Sequence, residues 1–260
     1  MKKLLLACAM LVLPSLGAFA AENPWVGTWK LDPSKSHLVG DTIDYSKAPN
    51  GLIHYTDGST ASFDFGLDGK EYKSWGNHTV IWTPAGPNTW NTVVKQDGAV
   101  IYAARRELSA DGKTLTITST GNRPDGSPSN DVAVYARVGT GRGLVGKWRS
   151  TKAEIPAPSV FAISSPSPGV LRFESPTFDV TFEGKIDGSD LAVKGPALPP
   201  GYTTSITATS PRTLSYVWKM NGKPDSYNID TLAADGKSYA SVSWNPGKKS
   251  EQTTSVYIKQ

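Results

Sequence analysis

Along most of the chain, apolar and polar residues take turns instead of recurring at every third or fourth position. Leu214, Tyr216, Trp218 and Met220 fall on one face of a run whose other face carries Ser215, Val217 and Lys219. Leu115 and Ile117 alternate with Thr114, Thr116 and Thr118, and Phe178, Val180 and Phe182 alternate with Thr177, Asp179 and Thr181. A two-residue period with polar partners predicts antiparallel strands that bury one face and wet the other. The runs are broken by Asp57-Gly58, Asp68-Gly69, Asp97-Gly98, Asp111-Gly112, Asp187-Gly188, Asn221-Gly222 and Asp235-Gly236. Such dipeptides accept positive φ at both central residues and predict two-residue hairpin turns. No long amphipathic helix emerges from the pattern. The expected class is all-β.

The pattern also occurs twice. Trp25-Val26-Gly27-Thr28-Trp29-Lys30 returns as Leu144-Val145-Gly146-Lys147-Trp148-Arg149 at an offset of 119. Leu108-Ser109-Ala110-Asp111-Gly112-Lys113 returns as Leu232-Ala233-Ala234-Asp235-Gly236-Lys237 at 124, and Val134-Tyr135 as Val256-Tyr257 at 122. Order is kept and the drift is small, as loop insertions after a duplication would give. Two domains of ordinary size are expected, repeat 1 over 21–139 and repeat 2 over 140–260. Gly139-Thr140-Gly141-Arg142-Gly143 reads as the short linker between them.

Residues 1–20 read as a signal peptide. Met1, Lys2 and Lys3 precede an apolar run from Leu4 to Leu13, and Ala18-Phe19-Ala20 supplies a small-residue cleavage site. The run is about half the length of a membrane-spanning helix. Cleavage after Ala20 and a periplasmic or extracellular protein with no integral membrane segment are therefore expected. The single cysteine, Cys8, lies in this leader, so the remaining chain has neither disulfides nor thiolate chemistry.

Composition narrows the partners. Without Lys2 and Lys3 the chain holds 25 basic and 23 acidic residues in no like-charge block, which argues against nucleic-acid binding. His37, His54 and His78 all lie in repeat 1 without metal-ligand spacing, and repeat 2 has no histidine or cysteine. Neither a metal nor another cofactor is expected. No phosphate-binding glycine loop opens a helix and no G-x-S-x-G is present, so no catalytic residue is assigned.

Aromatic residues remain, among them eight tryptophans. They fill a core or stack a ligand. The candidates for ligand contact are Trp90, Tyr102 and Arg106 in repeat 1 and Tyr216 and Trp218 in repeat 2. Inward-facing Tyr216 and Trp218 would also help to plug a barrel. Arg106 shares a face with Val100, Tyr102, Ala104 and Leu108. If that face looks inward, its charge needs a partner, a ligand carboxylate or Asp64 or Glu71. With the register shifted by one, it points to water. Two Pro-rich apolar loops, Pro156–Phe161 and Gly195–Tyr202, are candidates for a lid or a docking surface.

Each repeat opens with G-x-W, as Gly27-Thr28-Trp29 and Gly146-Lys147-Trp148. On an all-β repeat with hairpin-spaced strands, this resembles the lipocalin or calycin superfamily. The resemblance implies two tandem up-and-down antiparallel barrels. It further implies that a basic residue of the last strand, Arg137 or Lys259, packs across the tryptophan and closes one barrel end. The leading expectation is an exported, non-enzymatic protein that binds a small apolar or amphipathic ligand. Alternatives are a carbohydrate- or protein-interaction module that uses barrel-end loops, and an enzyme with an acid/base site in repeat 1.

Overall fold

The computed structural model describes residues 23–260. The expected leader, with Cys8 and the Ala20 cleavage site, lies outside the described residues. The fold is nearly all-β, arranged as two nearly closed antiparallel barrels of ten strands each.

The strands of the first half are β1 (Gly27–Leu31), β2 (Thr42–Lys47), β3 (Ile53–Thr56), β4 (Ser62–Phe65), β5 (Glu71–Lys73), β6 (His78–Gly86), β7 (Thr89–Gln96), β8 (Ala99–Leu108), β9 (Thr114–Thr120) and β10 (Val132–Arg142). Those of the second half are β11 (Val145–Glu154), β12 (Val160–Ser167), β13 (Val170–Ser175), β14 (Val180–Lys185), β15 (Asp187–Ala192), β16 (Tyr202–Ser210), β17 (Thr213–Met220), β18 (Lys223–Leu232), β19 (Ser238–Trp244) and β20 (Thr253–Lys259). Sheet neighbours are mostly sequence neighbours, as in a meander.

One exception organises the molecule. In the first barrel the order runs β4-β3-β2-β11-β10-β9-β8-β7-β6-β5, and in the second β14-β13-β12-β1-β20-β19-β18-β17-β16-β15. The opening strand of each repeat lies in the barrel of the other. The barrel boundaries therefore depart from the expected 21–139 and 140–260. The first barrel is continuous from β2 to β11, and the second closes only by taking β1 from the far end of the chain.

Chain entropy explains the exchange. The segment read as a linker is a hairpin: β10 runs through Gly139, Thr140 and Gly141, turns at Gly143-Leu144, and Arg142 pairs with Val145. A loop this short closes at far lower entropic cost than one spanning most of a repeat. β11 thus takes the slot between β10 and β2, and β1 fills the equivalent slot between β12 and β20.

The expected strands are present. Leu214, Tyr216 and Met220 are buried along β17, and Leu115 and Ile117 along β9. Phe178 departs from its predicted alternation: it lies in the turn before β14 and is 44% exposed. The turns are less uniform than the dipeptides suggest. Only Asp97-Gly98 and Asn221-Gly222 have both residues at positive φ. In the other five the glycine alone is positive. There the aspartate side chain often caps the following amides, as Asp111 does for Lys113 N at 3.0 Å.

Each barrel has its own apolar core. Tyr45, Phe65, Trp82 and Leu115 pack around Trp148 in the first, and Phe173, Ile206, Leu214 and Tyr239 around Trp29 in the second. Both indoles are fully buried.

Candidate functional site

The two tryptophans of the repeated motif are built alike. Trp29 Nε1 donates to the Trp25 carbonyl at 3.0 Å, and Trp148 Nε1 donates to the Leu144 carbonyl at 2.9 Å. A cation crosses each ring, with Lys259 Nζ 5.3 Å from the Trp29 centroid and the Arg137 guanidinium carbon 4.1 Å from that of Trp148. Within single repeats Arg137 would have met Trp29 and Lys259 would have met Trp148. The strand exchange crosses the pairs.

The same geometry gives the motif its glycine. A Cβ at Gly27 would stand 2.4 Å from Lys259 Cε, and one at Gly146 would stand 2.5 Å from Arg137 Nη1. Both glycines also hold positive φ, +147° and +142°.

A cavity of about 960 Å³ joins the two barrels. From the second barrel, Phe173, Phe182, Tyr216, Trp218, Tyr239 and Tyr257 wall it; from the first, Tyr102, Ile117 and Ala133 do. Leu198, in the Pro-rich loop after β15, also lines it. Val100, Tyr102 and Phe178 are three of the four large apolar side chains left exposed among the described residues, and all three line this cavity. Exposed apolar surface gathered at one place marks a contact site.

Among the polar groups of the cavity, one buried set is connected. Trp218 Nε1 donates to Asn228 Oδ1 at 2.7 Å, and Asn228 Nδ2 donates to Asp230 Oδ1 at 3.0 Å. An indole nitrogen can only donate, which fixes the amide orientation of Asn228. Burial pushes the Asp230 carboxyl up to about 6, against hydrogen bonds from Ser241, Asn228 and Tyr216 that favour its charged form. Burial also raises the Tyr216 and Tyr239 hydroxyls well above their ordinary value, and Tyr257 to about 12. These phenols are donors at neutral pH.

A second, polar cavity of about 420 Å³ adjoins the first and shares Ala133, Ser226 and Ser243 with it. On its wall Thr42 Oγ1 donates to Glu251 Oε2 at 2.6 Å, and Lys248 Nζ donates to the Thr42 carbonyl at 2.8 Å, tying the barrels together.

Of the expected ligand contacts, Tyr102, Tyr216 and Trp218 line the large cavity; Arg106 and Trp90 do not. Arg106 does face inward. Its guanidinium carbon lies 4.8 Å from the Trp82 ring centroid and its Nε donates to Thr92 Oγ1 at 3.2 Å. Neither suggested protein partner reaches it. Asp64 pairs with His54 at 2.6 Å and Glu71 with Lys95 at 3.1 Å. Trp90 packs edge-on against Trp82 at 6.3 Å within the first core.

The histidines are scattered. His37 bridges to Thr254, His54 sits in the Asp64 pair, and His78 is buried near the Pro-rich loop; none lines the large cavity. Among the described residues no cluster of three or more His, Cys, Asp or Glu side chains is placed to hold a metal. No described helix is long and apolar enough to cross a membrane.

Sequence reasoning missed Asn228, Asp230, Tyr239 and Tyr257. A signal for Asp230 was present: it aligns with Arg106 at the offset of 124 that relates Leu108 to Leu232. The chain matches no protein-family model and no curated protein.

Proposed function

We propose that this protein is an exported binding protein with lipocalin-like barrels, and that it holds one small apolar or amphipathic ligand in the cavity between them. The observation that carries this reading is the cavity itself. At about 960 Å³, with aromatic walls and one buried polar chain from Trp218 to Asp230, it has the size and lining of a small-molecule site. The exposed Val100, Tyr102 and Phe178 gather at the same place. The paired G-x-W motifs with their crossing cations favour the lipocalin-like description of each barrel.

Strand exchange changes the stoichiometry expected from a repeat. Two separate barrels suggest two ligands, whereas a shared cavity suggests one per chain. Native mass spectrometry of protein purified from its own host tests this, alongside titration with a fluorescent fatty-acid probe. One adduct per chain, lost on denaturation, with displaceable probe binding is the expected result. An apo mass together with no binding of the probe would remove the proposal.

A further inference from the structure

Four charged side chains line the large cavity: Arg123, Asp131, Glu154 and Asp230. Three are neutralised by protein. Arg123 is buried and pairs with Asp131 at 2.5 Å, and Glu154 pairs with Lys152 at 2.5 Å. Asp230 is buried, and among the described residues no ion pair reaches it. It receives hydrogen bonds from neutral donors only.

A buried carboxylate without a counter-charge opposes folding, so its presence calls for a reason. The barrel architecture does not require it, because the equivalent position of the first barrel is Arg106. Both residues occupy the same register, Arg106 opposite Ile117 and Asp230 opposite Ser241. The fold accepts either sign there, which leaves the acid free to serve a ligand.

The surroundings favour a cation. Tyr216, Trp218, Tyr239 and Tyr257 line the same cavity as the carboxylate, with Tyr216 and Trp218 nearly parallel at 6° and Tyr239 and Tyr257 at 14°. Aromatic faces attract cations most strongly where water is excluded. We infer that Asp230 anchors a protonated amine carried on an apolar body, with the aromatic walls enclosing the apolar part. This rests on the cavity being a ligand site and adds the chemistry of the ligand's polar end.

Decylamine, decanol and decanoate, each titrated below its aggregation limit and followed by calorimetry, separate the two claims. At pH 8 decylamine is expected to bind about tenfold or more tightly than decanol, and decanoate more weakly than decanol. Asp230→Asn, checked for native near-ultraviolet circular dichroism, should abolish the preference for decylamine over decanol. The unaltered protein supplies a second measurement: its amine preference should shrink at pH 5. Equal binding of the three probes, a preference for decanoate, or an amine preference that survives Asp230→Asn would overturn the inference and leave the cavity proposal standing. No binding of any probe would overturn both.

Discussion

Lys259, in the last strand, places its ammonium over the ring of Trp29, in the first, and the two residues are register partners across β20 and β1. The first and last strands thereby pair within the second barrel. Trp29 and Trp148 are each fully buried in the barrel of the opposite repeat. Truncating either indole should cost about 3–5 kcal/mol. The site of the damage should be crossed. Trp29→Ala is expected to raise hydrogen exchange in β12 and β20, which flank β1, and Trp148→Ala in β2 and β10. Deprotection confined to the repeat that carries the mutation would contradict the exchange.

The two crossing cations are not equivalent. Arg137 Nε donates to the Gly112 carbonyl at 2.7 Å and Nη1 to the Val145 carbonyl at 2.7 Å, with Nη2 on the Gly143 carbonyl. Among the described residues, Lys259 Nζ makes no hydrogen bond or ion pair and meets the Trp29 ring. Arg137→Lys keeps the charge but cannot reproduce the planar fork. It should lose about 1–3 kcal/mol, and Lys259→Ala no more than about 1 kcal/mol. Urea midpoints of the two variants measure the difference.

Local signals carried most of the fold into the sequence, and non-local ones did not. Alternation around Tyr216 and Leu115 announced strands, and the doubled Gly-x-Trp announced two similar units. Which unit each Trp would enter depended on competition between a tight β10–β11 hairpin and a distant β1. The repeat alignment cannot decide that, because both strands fit both slots. The candidate site was legible in part for a similar reason. Tyr216 and Trp218 stand out on an apolar face, but Asp230 sits in Ser226-Tyr227-Asn228-Ile229-Asp230, where the polar residues occupy the inward face. Hydrophobic alternation alone turns that strand inside out. Comparison with Arg106 restores its orientation.

Asp230 should make stability depend on pH. Its carboxyl is raised from 3.8 to about 6 in the folded protein, so the folded state holds the proton more tightly than the unfolded chain. The stability this provides is complete below 3.8 and is lost as pH rises through about 6. Across that window the loss is about 3 kcal/mol. Asp230→Asn removes the ionisation. It should unfold at a higher urea concentration than the parent at pH 8 and at a similar one at pH 4. A constant difference at both pH values would mean that the carboxyl titrates normally.

His78 should act in the opposite sense at the junction of the barrels. Burial lowers its pKa from the ordinary 6.5, against hydrogen bonding to Gln96 and Ala197 that favours the charged ring. The ring Nε2 lies 3.1 Å from Gln96 Oε1, and Gln96 Nε2 donates to the Leu198 carbonyl at 3.0 Å. Nearby, Pro199 packs so closely on Gly76 that a Cβ there would stand 2.3 Å from it. His78 thus braces the Pro-rich loop that carries Leu198, a wall residue of the large cavity. The folded state binds the proton less readily than the unfolded chain, so this stabilisation is present above 6.5 and is lost as pH falls through the lowered value. Acidification from pH 7 to 5 should therefore lower the amide protection factors of the non-proline residues of 195–201, measured against the intrinsic rate at each pH, before it affects those of the barrel strands. His78→Gln, which cannot titrate, should flatten that response. A loop whose protection falls equally in both proteins would assign the effect to another group.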